Sequence, residues 1–182
     1  MLALARQSID LAVHRQKLSK IDLNQVTPAL REIGASFVTL TIHGDLRGCI
    51  GALEAYQPLI LDVQEHAVAA ALEDYRFRPV SEKEIPLLEI EISRLTPPVP
   101  LEYSLPAELP AKLRPGIDGV ILRDGNLRAT FLPQVWEQLP RPEDFLNHLC
   151  SKMGAPANTW QRHLLRVWTY QVEEFKEEPN GE

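Results

Sequence analysis

Apolar and polar residues alternate with a period of two in several short stretches, and this pattern predicts β-strands. Three such stretches lie in the N-terminal half, at Ala35–Ile42, Leu46–Ile50 and Leu88–Ser93. His43-Gly44-Asp45 separates the first two and predicts a tight turn, so these two strands are expected to form an antiparallel hairpin.

The C-terminal half predicts a second hairpin and a final strand. Gly119–Arg123 and Asn126–Phe131 are the two arms of the hairpin, with Asp124-Gly125 as its two-residue turn. The final strand is predicted over Leu165–Glu173. Obvious hairpins favour an antiparallel arrangement over a doubly wound parallel sheet.

Apolar residues at helical spacing predict a helix over residues 2–18 and another from Pro58 to about Glu73. Two shorter helices are predicted over Gln134–Leu139 and Pro142–Met153, and Asp22–Pro28 is predicted as a loop. Eleven of the 15 prolines lie between residues 79 and 142, which excludes a long helical bundle through the middle of the chain. The predicted fold class is α+β.

The charge and the cysteine content of the chain argue against several classes of function. The net charge of −6 argues against nucleic-acid binding, which requires a cationic surface. No stretch approaches the 18 apolar residues of a membrane span, and Cys49 and Cys150 form no CxxC pair. We therefore expect a reduced, cytoplasmic protein that does not enter the membrane.

The segment Leu46-Arg47-Gly48-Cys49-Ile50-Gly51, here called the hexapeptide, carries the strongest chemical signal. A two-residue turn before it would place Arg47 and Cys49 on one face of the hairpin with Val38, Leu40 and Ile42. Glycines within a strand indicate a bulge or the close approach of a backbone or a ligand. An arginine near a cysteine favours the thiolate, so Cys49 is either a reactive thiol or a small buried residue beside a bound arginine.

The loop Asp74-Tyr75-Arg76-Phe77-Arg78-Pro79 combines one acid, two guanidinium groups and two aromatic rings. Such a loop can bind a small anion or carboxylate, or it can be pinned by Asp–Arg pairs above buried aromatic rings. The five histidines form no HExxH or HxH pair, and there is no glycine-rich nucleotide loop, so neither a metal site nor a cofactor is predicted.

The hexapeptide resembles the hallmark sequence of the AMMECR domain family. The resemblance extends over about residues 4–176 in an ordered series of further motifs, which are Arg76-Phe77 with Pro79-Val80, Leu88–Ser93, Leu95-Thr96-Pro97, Leu113–Gly116, Asp118–Leu122, Ala129–Trp136 and Tyr170–Phe175. This chain has Tyr75 where many members of the family have a proline.

The resemblance implies a single domain with two lobes, each an antiparallel sheet flanked by helices. The larger lobe would come from both chain ends and the smaller from the middle, with the hexapeptide near the groove between them. Bacterial and archaeal members are called protein A of the AmmeMemoRadiSam system, which implies a Memo-type protein and a radical S-adenosylmethionine enzyme as partners.

Two hypotheses on function follow, and the sequence leaves open whether the protein is an enzyme. The first is an accessory protein that works with those two partners. The second is a protein or enzyme that binds a small anionic ligand, with Cys49 as the candidate catalytic residue. Its expected ligand-binding residues are Arg47, Gly48, Cys49, Gly51, Asp74 and Arg76.

Overall fold

The structure, a computed structural model, describes residues 1–177 of the chain. Two compact units are present, one formed by Met1–Leu95 with the C-terminal segment from Glu173, the other by Thr96–Val172. Each unit contains helices and a sheet with antiparallel pairing, so the predicted α+β class is confirmed.

The first unit is built on a five-stranded sheet, whose strands are β1 (Ile33–Ile42), β2 (Asp45–Gly51), β3 (Gln57–Pro58), β4 (Leu88–Leu95) and β9 (Val172–Lys176). Their order across the sheet is β2-β1-β4-β9, and β3 pairs with β1. Strand β2, which carries the hexapeptide, therefore lies at an edge of the sheet.

Three helices belong to the same unit, α1 (Leu2–Val13), α2 (Pro28–Arg31) and α3 (Leu59–Leu72). The helix predicted from Pro58 to about Glu73 is confirmed as α3, which is one residue shorter at each end. Apolar side chains from α1, α3 and the sheet form one core, which includes Ile9, Val38, Leu40, Val63, Ala67, Ile90 and Ile92. The alternation in β1 and β4 thus has its expected cause, because one face of each strand is buried.

A buried polar cluster joins α3 to β1. The Asp62 side chain is fully buried, and its Oδ2 accepts hydrogen bonds from the Ser36 amide at 2.8 Å and the Ser36 hydroxyl at 2.6 Å. His66 Nδ1, one helical turn further on, lies 3.1 Å from the same oxygen. These bonds satisfy Asp62 Oδ2 and the Ser36 groups, whereas Asp62 Oδ1 is buried with no hydrogen-bond partner among the described residues.

The second unit contains a four-stranded sheet, ordered β5-β8-β6-β7, with β5 (Val99–Pro100), β6 (Gly119–Asp124), β7 (Leu127–Phe131) and β8 (Arg166–Tyr170). Its helices are α4 (Leu109–Lys112), α5 (Pro142–Lys152) and α6 (Thr159–Arg162). The core contains the ring of Phe145, which stacks on that of Trp136 with the centroids 3.7 Å apart. A 3₁₀ helix over Pro133–Glu137 replaces the predicted helix over Gln134–Leu139.

Two of the predicted boundaries in the N-terminal part were wrong. The first helix ends at Val13 and not at residue 18, since Arg15 adopts a left-handed backbone conformation with φ of 55°. The predicted loop Asp22–Pro28 contains a 3₁₀ turn over Leu23–Gln25, and its last residue already begins α2. The Asp22 carboxylate caps that turn by accepting the Asn24 amide.

Two predictions in the C-terminal half also need correction. The second hairpin turns at Gly125-Asn126, because Asp124 still pairs with Leu127. The predicted strand Leu165–Glu173 is in fact two strands, β8 and β9, which belong to different sheets. A continuous apolar pattern does not reveal such a change of sheet.

Candidate functional site

The hexapeptide contains a β-bulge at Arg47. Leu40 pairs with Gly48 and Thr41 pairs with Leu46, so Arg47 is an extra residue with no partner in β1. The bulge places Cys49 directly opposite Thr39. The expectation that Cys49 shares a face with Val38 and Leu40 was therefore wrong, since one extra residue reverses the side-chain alternation.

The Cys49 side chain thus lies on the sheet face opposite the core of the first unit. It is half-buried, and the Thr39 hydroxyl donates a hydrogen bond to its Sγ at 3.3 Å. Thr39 pairs with Glu91 on its other side, in β4, so a thiol, a hydroxyl and a carboxylate occupy neighbouring positions across three strands. Sequence reasoning missed Thr39, although its place in the alternating strand was visible.

The two glycines of the hexapeptide are explained by close packing. A Cβ on Gly48 would collide with the carbonyl oxygen of Ala70, so glycine lets α3 approach β2. A Cβ on Gly51 would meet the Phe37 ring and the Ser36 carbonyl oxygen. Both positions need a residue without a side chain because of the protein's own atoms, independently of any ligand.

Asp74 and Arg76 bind the backbone of Cys49. The buried Asp74 carboxylate accepts the Cys49 amide at 2.8 Å, and Arg76 Nη2 donates to the Cys49 carbonyl at 3.2 Å. The two side chains also bond to each other, with Arg76 Nη2 to Asp74 Oδ2 at 2.6 Å and Nε to Oδ1 at 2.9 Å. Because β2 is an edge strand, this pair supplies the bonds that a further strand would make.

This pairing changes the electrostatics of both groups. The Arg76 guanidinium, together with the Cys49 amide, holds the pKa of Asp74 well below its ordinary value, even though burial opposes the shift. The same contact raises the pKa of Arg76 above its ordinary value. The loop is therefore pinned by an Asp–Arg pair, as one of the two interpretations expected. The expectation of buried aromatic rings holds for Phe77 only in part, and Tyr75 is 94% exposed.

Arg47 has a different carboxylate partner, Glu84. Its Nε donates to Glu84 Oε1 at 2.7 Å and its Nη2 to Oε2 at 3.3 Å. Glu84 also accepts the amide and hydroxyl of Ser81, and these contacts lower the pKa of Glu84 to about 2, with the bond from Arg47 as the largest cause. Glu84 was missed from the sequence, although Ser81 and Glu84 have the Ser-x-x-Glu spacing of a local cap.

Three cationic and aromatic groups gather around the hexapeptide. The guanidinium carbons of Arg47 and Arg76 lie 6.0 and 5.5 Å from the centroid of the Phe77 ring, within range of cation–π attraction. Arg47 Nη1 is buried and has no hydrogen-bond partner among the described residues. The structure thus brings Arg47, Cys49, Asp74 and Arg76 together, and their role in binding a ligand stays a prediction.

In the part of the chain that the structure describes, no three His, Cys, Asp or Glu side chains are grouped so as to hold a metal ion. Within residues 1–177, no helix has the length and apolar character that crossing a membrane requires. Cys150, the second cysteine, is fully buried in the core of the other unit, and burial raises the pKa of its thiol.

Comparison with known proteins identifies relatives along nearly the whole chain. The AMMECR1 family model matches residues 2–175. A protein of Methanothermobacter thermautotrophicus is 36% identical over 98% of this chain and 93% of its own length. One from Thermococcus gammatolerans is 35% identical over all of this chain and 91% of its own.

A solved structure shares the fold as well. The crystal structure of an uncharacterized protein from Pyrococcus horikoshii is 34% identical in sequence and superposes with a TM-score of 0.76. The match covers 97% of this chain and 89% of that one. The resemblance detected from the hexapeptide and the motifs that follow it is thereby confirmed.

Proposed function

The chain belongs to the AMMECR1 family, and from this premise we propose that it is an accessory protein that acts by binding other proteins. Its proposed partners are a Memo-type protein and a radical S-adenosylmethionine enzyme, and its proposed location is the cytoplasm. The partners follow from the family resemblance, and the exposure of Tyr75 supports the binding role.

Tyr75 is exposed to solvent, and the residues on either side of it are held in place by hydrogen bonds. Its ring is 94% exposed, while the residues on either side, Asp74 and Arg76, are bonded to each other and to the backbone of Cys49. A large, rigid and amphipathic side chain costs little conformational entropy on binding, and tyrosine is enriched among the residues that dominate binding energy. Asp74, Arg76 and Arg47 are meanwhile engaged in contacts within the chain.

The test is co-purification of the tagged full chain with the proposed Memo-type protein and radical S-adenosylmethionine enzyme, all co-expressed in one host. The native chain should retain at least one of them at stoichiometric yield, and failure to retain either would refute the proposed function. Tyr75→Ala should weaken the retained complex about tenfold or more. Tyr56→Ala is the matched control, since Tyr56 is an exposed tyrosine in the same unit, and it should leave retention unchanged.

A second candidate function is supported by the bulge at Arg47. Bulges near active sites redirect side chains, and this one moves Cys49 from the core face to the opposite face, beside Thr39. The partnerless Nη1 of Arg47 adds a donor that a small anionic ligand could use. In this alternative Cys49 is the reacting group, and Arg47 and Arg76 hold the ligand.

Thiol labelling separates the two functions. A comparison of Cys49 with Cys150 alone is uninformative, because Cys150 is fully buried. We therefore compare the iodoacetamide rate of Cys49 at pH 7 with that of N-acetylcysteine. A catalytic thiol should react about tenfold faster than the free thiol, whereas a slower rate would contradict the catalytic role. The iodoacetamide rate of Cys49 in Thr39→Val shows whether the Thr39 hydroxyl contributes to the reactivity of the thiol.

A further inference from the structure

A cavity of about 490 Å³ lies in the first unit, beside the end of α1. One wall is formed by Val13, His14 and Arg15, and the other by the segment Val80–Lys83. The volume falls in the range of pockets that hold small molecules, about 300–1,000 Å³. Neither the hexapeptide nor the Asp74 loop lines this cavity.

The polar lining of the cavity is mainly cationic. Arg15 and Lys83 have no ion-pair partner among the described residues, and Glu82 is the one acid in the lining. His14 Nδ1 lies 2.8 Å from the Asp10 carbonyl oxygen and 3.4 Å from the Asp10 carboxylate, so this ring nitrogen carries a proton and already has an acidic partner, which leaves Arg15 and Lys83 as the available cations. The same contact raises the pKa of His14 above its ordinary value. The cationic lining contrasts with the net charge of −6 of the chain.

Arg15 occupies a position that its backbone conformation does not favour. Its φ of 55° is left-handed, and its amide donates to the Ala12 carbonyl at 2.9 Å, as in a helix C-terminus that usually carries glycine. A side chain at such a position costs about 1 kcal/mol relative to glycine. What arginine adds at this position is a guanidinium group at the wall of the cavity.

The opposite wall is joined to the hexapeptide by hydrogen bonds. Ser81, in the wall, donates from its amide and its hydroxyl to Glu84, and Glu84 accepts the bond from Arg47. Arg47 therefore positions the segment that carries Lys83 without lining the cavity itself. Each wall also has an apolar residue, since Val80 is buried and Val13 is half-buried.

We propose that this cavity binds a small organic anion, whose phosphate or carboxylate group contacts Arg15 and Lys83 and whose apolar part packs on Val13 and Val80. Both kinds of oxyanion match the forked donors of a guanidinium, and an ammonium adds a second positive charge. An apolar part gains from contact with Val13 and Val80, which an inorganic ion would leave uncovered.

Calorimetric titration of the full chain at low ionic strength tests this site with three probes, which are phenyl phosphate, benzoate and inorganic phosphate. Phenyl phosphate or benzoate should bind saturably, and phenyl phosphate should bind more tightly than inorganic phosphate. Whichever organic probe binds more tightly identifies the preferred anionic group. Absence of saturable binding by both organic probes, or equal affinity for phenyl phosphate and inorganic phosphate with no binding of benzoate, would overturn the proposal.

A pair of double variants assigns the binding to this cavity. Arg15→Gln with Lys83→Gln should weaken binding about tenfold or more, since two charge-assisted contacts are lost. Arg31→Gln with Arg162→Gln removes the same net charge from exposed positions outside the lining and should stay within about twofold of the native chain. Equal losses in both double variants would indicate general electrostatics and refute the site. These results are independent of Tyr75, so the anion site and the partner proposal can fail separately.

Discussion

Asp74 completes the hydrogen bonding of Cys49, because its Oδ2 accepts the Cys49 amide at 2.8 Å across 25 positions of sequence. Arg76 bonds to the Cys49 carbonyl on the same outer side of β2. A short ion pair thus replaces a strand at the edge of the sheet, where free amide and carbonyl groups would pair with another chain. The same residues that form the candidate site therefore also cap the edge strand of the sheet.

Asp74→Ala should lower the free energy of unfolding by about 2–4 kcal/mol, because it leaves the Cys49 amide and the Arg76 guanidinium without their shared acceptor. Urea denaturation at pH 7 measures the loss. The adjacent Glu73 is exposed, so Glu73→Ala should change the stability by less than about 0.5 kcal/mol. A loss of similar size in both variants would contradict the role assigned to Asp74.

The same Asp74→Ala variant should also self-associate. With the ion pair removed, β2 offers an unpaired amide and carbonyl at Cys49, and an exposed strand edge is a template for pairing with a second copy. Light scattering coupled to gel filtration should show a higher mean mass for this variant than for the native chain or Glu73→Ala at equal concentration. An unchanged mass would mean that other features protect the edge.

Gly48→Ala should be more destabilising than Gly44→Ala. The added methyl at Gly48 collides with the Ala70 carbonyl oxygen, and overpacking against a helix backbone costs about 3 kcal/mol. Gly44 has a φ of 84° and open space around it, so alanine there costs only the backbone strain, about 1 kcal/mol. Thermal or urea unfolding of the two variants gives the comparison. Equal losses would show that α3 moves away from β2 at little cost.

The main features of the first unit could be predicted from local pattern. Alternation predicted β1 and β4, and Pro58 predicted the start of α3 to within one residue. The turn predicted at His43-Gly44-Asp45 indicated the hairpin, although Asp45, in β2, already pairs with Ile42. Each of these depends on residues close in sequence. The ordered motifs along the chain, not the periodicity, identified the family.

The face on which Cys49 lies could not be predicted, because a single bulged residue reverses it. The bulged Arg47 bonds to Glu84, and the next residue, Gly48, packs against α3, so both contacts join positions far apart in sequence. The bond between Asp74 and the Cys49 backbone likewise joins residues that are distant in sequence. Local patterns carry no information on such long-range contacts, so the sequence singled out Arg47, Cys49 and Asp74 as candidates but did not predict the contacts of Arg47 with Glu84 or of Asp74 with the Cys49 backbone.

Glu84→Gln should reduce stability at neutral pH and flatten its acid dependence. Arg47 and Ser81 hold the pKa of Glu84 at about 2 in the folded chain, below its ordinary value of 4.5. A lowered folded pKa gives stability that is present above pH 4.5 and is lost as the pH falls through 2. The difference in unfolding free energy between the native chain and Glu84→Gln should therefore be largest near pH 6 and shrink towards pH 2.

The control for this titration is Glu82→Gln, which changes an exposed carboxylate two residues away. The unfolding free energy of Glu82→Gln should equal that of the native chain at every pH measured. Urea unfolding at pH 2.5, 4 and 6 distinguishes the variants. A native-minus-Glu84→Gln difference that stays constant from pH 6 to pH 2.5 would show that the Arg47–Glu84 contact contributes no proton-linked stability.

Deletion of Arg47 should leave Cys49 opposite Thr39. Arg47 is the one residue of this hairpin without a partner in β1, so its removal joins Leu46 to Gly48 and makes the ladder regular. The deletion loses the contact with Glu84, which we expect to cost about 1–2 kcal/mol, and Arg47→Gln, which keeps the bulge, should cost a similar amount. The iodoacetamide rate of Cys49 in the deletion variant should equal that of the native chain. A thiol that becomes inaccessible would mean that the register shifts and that the bulge itself holds Cys49 on its face.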